Sequence, residues 1–243
     1  MKADAILVSA GKGQRLKEGT KKQFLPLAEK PILAHALDPF EACPLIRSIL
    51  LVVAQEDIDF CREHLVQKYR YGKISQLVPG GPRRQDSVRR GIEALLPDVD
   101  IVVIHDGVRP FVTQQMIEES IHVAVRSQAV VFALPVKETI KMVHPNGTVQ
   151  STLNRESLWQ IQTPQAFQAK VIREAFQKAI QDGFQGTDDA SLVERLGVKV
   201  HILPGPDTNI KITTREDLML AKVFLQMNSF PPHGPRFDRR ESP

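Results

Sequence analysis

"ADAILVSAGKGQRL", residues 3–16, carries a short apolar run straight into a turn with two glycines around a lysine. A buried strand that ends in such a turn is how an α/β sheet begins, and the rest of the chain decides whether it does. The same rhythm repeats downstream. "SILLVV" (48–53), "ISQLV" (74–78), "DIVVIHD" (100–106) and "AVVFALPV" (129–136) read as strands. Between them, "PILAHALDPFEA" (31–42), "EDIDFCREHLVQKY" (56–69), "QDSVRRGIEALL" (85–96) and "QQMIEESIHVAVRS" (114–127) have helical spacing. Strands that are apolar throughout are buried on both faces. The pattern therefore predicts an open, mostly parallel sheet with helices on both faces.

The rhythm breaks after residue 136. Two polar, β-favouring runs flank Asn146-Gly147, a strong hairpin signal, so residues 137–156 read as a projecting hairpin. An isolated two-stranded ribbon is marginal in water. A second subunit is the economical thing for it to pack against, and a solvated surface hairpin fits the pattern equally well. Helices at 169–183 and 187–197, strands at 198–204 and 209–213, and a helix at 213–227 follow. The last opens with an expected capping box from Thr213 to Glu216. One domain spanning 1–227 is expected. Residues 228–243 are rich in proline and arginine without periodicity and read as a disordered tail.

Composition narrows the function classes. The 243 residues are 42% hydrophobic and 25% charged with a net charge of +4, ordinary for a globular protein. No apolar run is long enough to span a bilayer, and the N-terminus lacks the apolar core of a signal peptide. Two cysteines make no disulfide framework, and no Cys/His group has zinc spacing. Aromatics are 6%, without the aromatic-and-basic ladder of a single-strand platform. A cytoplasmic protein that binds neither membrane nor nucleic acid is expected.

In an open parallel sheet, ligands sit outside the carboxyl ends of the strands. After the first strand come Ala10, Gly11, Lys12, Gly13 and Arg15, then Lys21 and Lys22. Glycines admit close backbone approach to an anion and cations neutralise it. Leu16 replaces the third glycine of a dinucleotide fingerprint, and Gly13 after Lys12 breaks a Walker A loop. A plain glycine turn with solvated lysines fits this stretch as well. After the third strand, Gly80, Gly81 and Pro82 lead through two arginines into a helix with Asp86 or Ser87 as its cap. After "DIVVIHD", Asp106 leaves the sheet with Arg109 close by. A carboxylate there suits Mg²⁺, which brings substrate phosphates with it, or simply caps the turn. His105 faces the other way and reads as structural. Lys211, between two isoleucines, points away from both and meets solvent or an anion. Thr163 and Thr187 add hydroxyls at expected loop or helix-start positions.

The ordered set "AILVSAGKGQRL…KKQFLPLAEKPIL", "PGGPRRQDSV", "HDGVRP", "VKETIK", "LNRESLWQIQTPQAF", "GTDDASLVE" and "NIKITTREDL" resembles the 2-C-methyl-D-erythritol 4-phosphate cytidylyltransferase family across residues 3–226. The resemblance implies a Rossmann-like nucleotidyltransferase fold with a β-arm, and a homodimer whose arm reaches the partner's active site. It implies transfer of CMP from CTP to the methylerythritol phosphate, with Mg²⁺. By motif, Ala10, Gly11 and Gly13 wrap CTP, while Arg15, Lys22 and Lys211 meet its phosphates. Gly81, Pro82 and Ser87 border the cytosine. Asp106 faces Mg²⁺ and substrate, beside Arg109; Thr163 and Thr187 line the polyol phosphate site. Thr139 and Arg155 serve the partner's site. Ser9 stands where the family usually has alanine, and Lys21 where it commonly has proline. A cytidylyltransferase for another polyol phosphate, such as ribitol 5-phosphate, would keep the CTP motifs. A non-catalytic nucleotide-binding protein on the same fold is the alternative of another class.

Overall fold

Period-two alternation along the first strand sorts its side chains to two faces. In β1 (Ala3–Ser9), Ala3, Ala5 and Leu7 enter one apolar cluster and Ile6 enters another. A strand hydrophobic on both faces must be covered on both, and it is. The computed structural model describes residues 1–11 and 21–228. After β1 come the paired short strands β2 (Pro26–Leu27) and β3 (Lys30–Pro31), α1 (Ile32–Ala42), β4 (Ile46–Val53) and α2 (Ile58–Cys61). Then follow β5 (Ile74–Pro79), α3 (Arg84–Glu93), β6 (Ile101–Asp106), α4 (Gln114–Ser127) and β7 (Ala129–Pro135). The chain finishes with β8 (Lys141–Val143), β9 (Val149–Thr152), β10 (Trp159–Gln168), α5 (Ala169–Gln181), α6 (Ala190–Glu194), β11 (His201–Pro204) and α7 (Arg215–Asn228).

Seven strands form one sheet in the order β11-β7-β10-β6-β1-β4-β5. The pairs β1–β4, β1–β6, β4–β5 and β7–β11 are parallel, as the alternating pattern predicts. The sequence pattern does not predict strand β10. It runs antiparallel between β6 and β7, in the middle of the sheet. Its glutamines and Pro164 argue against a central strand. Two things admit it. Pairing with β7 breaks between Ile161 and Gln165, around the proline. The buried glutamines are hydrogen-bonded: Gln165 donates to Asp188 Oδ2 and accepts from the Ala190 N–H.

The hairpin is observed as β8 and β9, which among the described residues pair with each other alone and are largely exposed. Its turn contains Gly147 at φ +85°, in the left-handed region. Residues 209–213 are not a strand. The Ile212 N–H bond to Val108 O, at 2.9 Å, ties this segment to the loop after β6. Ile210 and Ile212 still pack together under α7, so Lys211 points the other way as the alternation predicts. The α7 cap lies one residue later than expected. Asp217, not Glu216, accepts from the Thr213 and Thr214 N–H groups, and Thr214 Oγ1 accepts from the Asp217 N–H. The expected tail beyond residue 228 lies outside the described residues.

Candidate active site

The loop after β5 is held close to the loop after β1 because Gly80 lacks a side chain. A Cβ there would stand 2.2 Å from Ala10 Cβ and 3.0 Å from Ser87 Oγ. Its N–H donates to Val53 O at 2.7 Å, and Arg90 Nη1 donates to the Gly80 and Pro79 carbonyls. Ser87 Oγ accepts from the Gly81 N–H at 3.0 Å. The helix N-cap is Arg83 rather than Asp86 or Ser87: Asp86, three residues in, accepts from the Arg83 N–H. Gly81, Pro82 and Ser87 line a cleft of about 480 Å³ together with Ala10 and Gly11. Among the described residues no atom lies within 4 Å of a Cβ built on Gly11. Gln23, buried, donates to Ser9 O at 3.0 Å and anchors the end of β1 to the segment that carries Lys22.

The two adjacent lysines part company. Lys22 lines the cleft, whereas Lys21 Nζ pairs with Asp57 and Glu56 at 2.7 Å each. Gly13 and Arg15 lie outside the described residues.

Asp106 ends β6 on the cleft floor, 5% exposed. Its Oδ1 accepts from Arg84 Nε and its Oδ2 from Lys211 Nζ, each at 2.8 Å. Burial by itself raises a carboxyl pKa. Here the Arg84 and Lys211 charges outweigh it and hold Asp106 far below the usual carboxylate range. Arg84 also reaches Asp189, which burial pushes up despite that partner. Arg109 Nη1 donates to Asn209 O, and its Nε stands 3.9 Å from Asp106. Burial lowers the Arg109 pKa and Asp106 offsets part of that.

Thr163 is in β10, not in a loop. The antiparallel register that sets Gln165 against Ile104 brings it beside Asp106, whose N–H donates to Thr163 Oγ1 at 3.1 Å. The same hydroxyl meets His105 Nδ1 at 3.0 Å, and His105 Nε2 meets Arg109 O at 3.1 Å. One assignment satisfies all three: the threonine donates to Nδ1 and a neutral imidazole donates from Nε2. Burial agrees, lowering the His105 pKa to about 4. His105 is thus structural, and the Thr163 proton is committed inward.

A second cleft of about 420 Å³ adjoins the first, with Arg109, Thr163 and Thr187 among its lining. It shares Arg84, Asp106 and Lys211 with the first. Thr139 and Arg155 are exposed near the hairpin and line neither cleft of their own chain. Arg155 Nη1 donates to Lys137 O. Among the described residues no three His, Cys, Asp or Glu side chains cluster to hold a metal. The sequence does not single out Arg84, Asp189 or Gln165 as individual site residues. The one local signal was the arginine pair opening a helix after Gly81.

An open sheet with glycine turns and cations at its strand ends, and two clefts meeting at a carboxylate, defines an α/β protein with an anion-binding site at the carboxyl ends of its strands. The family model for 2-C-methyl-D-erythritol 4-phosphate cytidylyltransferase (IspD) matches residues 3–227. A protein of that name from Syntrophus aciditrophicus is 47% identical over 225 residues, covering 93% of this chain and 96% of its own. One from Geotalea uraniireducens is 44% identical over 228 residues, covering 93% and 97%. The crystal structure of 4-diphosphocytidyl-2C-methyl-D-erythritol synthase from Anaerococcus prevotii superposes with a TM-score of 0.82 at 33% identity, covering 93% of this chain and 96% of that one. This chain belongs to the 2-C-methyl-D-erythritol 4-phosphate cytidylyltransferase family. No helix among its described residues is long and apolar enough to cross a membrane.

Proposed function

We infer that this chain transfers the cytidylyl group of CTP to 2-C-methyl-D-erythritol 4-phosphate, releasing pyrophosphate. The observation that carries the reading is the seam between the clefts, where Arg84, Asp106 and Lys211 belong to both. Two anions bound on either side meet there. The acceptor phosphate is largely dianionic at neutral pH, its second pKa being about 6, so no general base is required. Its oxygen attacks the α-phosphorus, the bond to the bridging oxygen breaks, and pyrophosphate leaves with that electron pair. The chain's task is to align the reactants and neutralise charge on five-coordinate phosphorus.

In this reading Ala10, Gly11 and Gly13 embrace the triphosphate, with Arg15, Lys22 and Lys211 as its cations. Gly81 and Pro82 offer backbone to the cytosine, and Ser87 holds Gly81 in place. Arg109 and Thr187 face the polyol phosphate, and Thr163 sets Asp106. Asp106 suits Mg²⁺: it is held ionised and is a single carboxylate, and Mg²⁺ takes one or two carboxylates plus substrate phosphates. The bound ion would supply charge neutralisation between the phosphates. Thr139 and Arg155 act in the partner's site of a homodimer. Exposed Met142, Val143 and Val149 on the hairpin, and Trp159 and Ile161 at its base, support that contact.

The test is pyrophosphate release from CTP and Mg²⁺ with methylerythritol phosphate, ribitol 5-phosphate or no acceptor. Release that depends on methylerythritol phosphate is expected. Release with ribitol 5-phosphate alone would reassign the acceptor, and none with either would remove the activity.

A further inference from the structure

Arg84 opens α3 just after the Gly81-Pro82 turn and lines both clefts. Its guanidinium is divided between carboxylates from distant parts of the chain. Nε donates to Asp106 Oδ1 and Nη2 to Asp189 Oδ2, both at 2.8 Å. Asp189 is 1% exposed and lines neither cleft. Its own position is set from β10. Gln165 donates to Asp188 and accepts from the Ala190 N–H, bracketing Asp189 on both sides. Asp188 in turn accepts from the Ser191 N–H. A buried carboxylate is costly to keep, and apolar packing would serve the fold alone at least as well. This one is linked, through a single side chain, to the carboxylate that both clefts share.

We propose that Arg84, braced by Asp189, is a positioning residue for the transfer, holding the Asp106 carboxylate at the seam between the two clefts. The inference rests on the function proposed above. With Arg84 on one oxygen and Lys211 on the other, the Asp106 carboxylate cannot turn about its Cβ–Cγ bond. A guanidinium suits the task because its planar fork presents two N–H directions at a fixed angle. A lysine has one nitrogen at the end of a flexible stem and cannot brace against Asp189 while reaching Asp106 from the same direction. Asp189 keeps the fork from swinging toward a bound phosphate, and so keeps Asp106 in register with the reacting groups.

The test uses the full chain, with Arg84→Lys and Asp189→Asn beside the wild type. Folding is followed by circular dichroism and thermal midpoint, CTP binding by calorimetry, and turnover by pyrophosphate release with methylerythritol phosphate. Both variants are expected to fold and to bind CTP within about threefold of wild type, while kcat falls by roughly 10–100-fold. A residue that merely supports the fold would not separate kcat from CTP affinity. Wild-type kcat in either folded variant overturns the proposal, and so does a loss of CTP affinity equal to the loss of kcat. If Arg84→Lys does not fold, Asp189→Asn decides. If neither folds, the pair is a folding element and the positioning role is withdrawn. A wild-type chain that releases no pyrophosphate refutes the functional reading itself, and the positioning role with it.

Discussion

Replacing Gly91 with alanine sets two opposed effects against each other. Gly91 is buried in α3, where the helix lies against β1 and β4. In a helix interior alanine is favoured over glycine by about 1 kcal/mol. Against this, a Cβ on Gly91 would stand 2.6 Å from Ile6 Cγ2, 3.2 Å from Ile6 Cδ1 and 3.3 Å from Val52 Cγ2. Carbon atoms pack best at about 3.5–4.0 Å, so roughly 1 Å has to be found. Ile6 is fully buried in a central strand and β-branched, hence stiff, which leaves the helix to move. Overpacking of this kind costs about 1–3 kcal/mol, so the net loss of stability is about 0–2 kcal/mol. Activity falls further. The first turn of α3 carries Arg84 and Ser87, and a 1 Å misplacement costs up to ~100-fold in rate. Urea unfolding and pyrophosphate release, measured on the same preparation, separate the two effects. Adding Ile6→Leu, which removes the offending Cγ2, should restore part of the activity. A Gly91→Ala chain that is about 1 kcal/mol more stable than wild type and fully active would refute the packing argument.

Lys22→Ala should lower turnover by about 10²–10³-fold with the fold intact, whereas Lys21→Ala, which leaves buried Asp57 without this cation, should cost about 1–3 kcal/mol of stability and little turnover. Similar kinetic losses in the two would undo the distinction. His105 resists protonation when folded, its pKa lowered from 6.5 to about 4 by burial. The unfolded chain therefore binds the proton first. Stability from this group is complete above about pH 6.5 and falls by about 3 kcal/mol in all as pH drops toward about 4. Imidazole nitrogen shifts at pH 5 should report a neutral ring protonated at Nε2, and an imidazolium there would contradict the assigned network. Mixing Arg155→Ala with Asp106→Ala chains, each weak alone, should restore some activity if Arg155 acts across a dimer. Demonstrated subunit exchange without recovery would argue against a shared site.

The local pattern carried much of this protein. Apolar runs at 3–8, 48–53 and 100–106 became β1, β4 and β6, because short β-branched runs alternating with helical segments fit strands buried on both faces. Glycines and charges after the strands at 3–8, 74–78 and 100–106 mark where a ligand would sit. The hairpin at 137–156 was announced by Asn146-Gly147. Strand β10 was hidden, because Pro164 and four glutamines carry no strand signal until partners for their amides exist. Those partners, Asp188 and the Ala190 N–H among them, come from elsewhere in the chain.

The family motifs named Lys22, Asp106 and Lys211 one at a time, but not what joins them. Arg84 and Asp189 are 105 residues apart, and Asp106 reaches Thr163 across 57. What the sequence by itself determined is therefore which segments become strands and helices, and which loops carry charge, since both follow from spacing along the chain. Only the tertiary structure decided that Asp106 stands between Arg84 and Lys211, that Lys21 is taken up by Asp57 and Glu56, and that Arg84 also reaches Asp189. Ion pairs and amide networks form between groups distant in sequence, and their geometry exists only once the sheet has brought those groups within 3 Å.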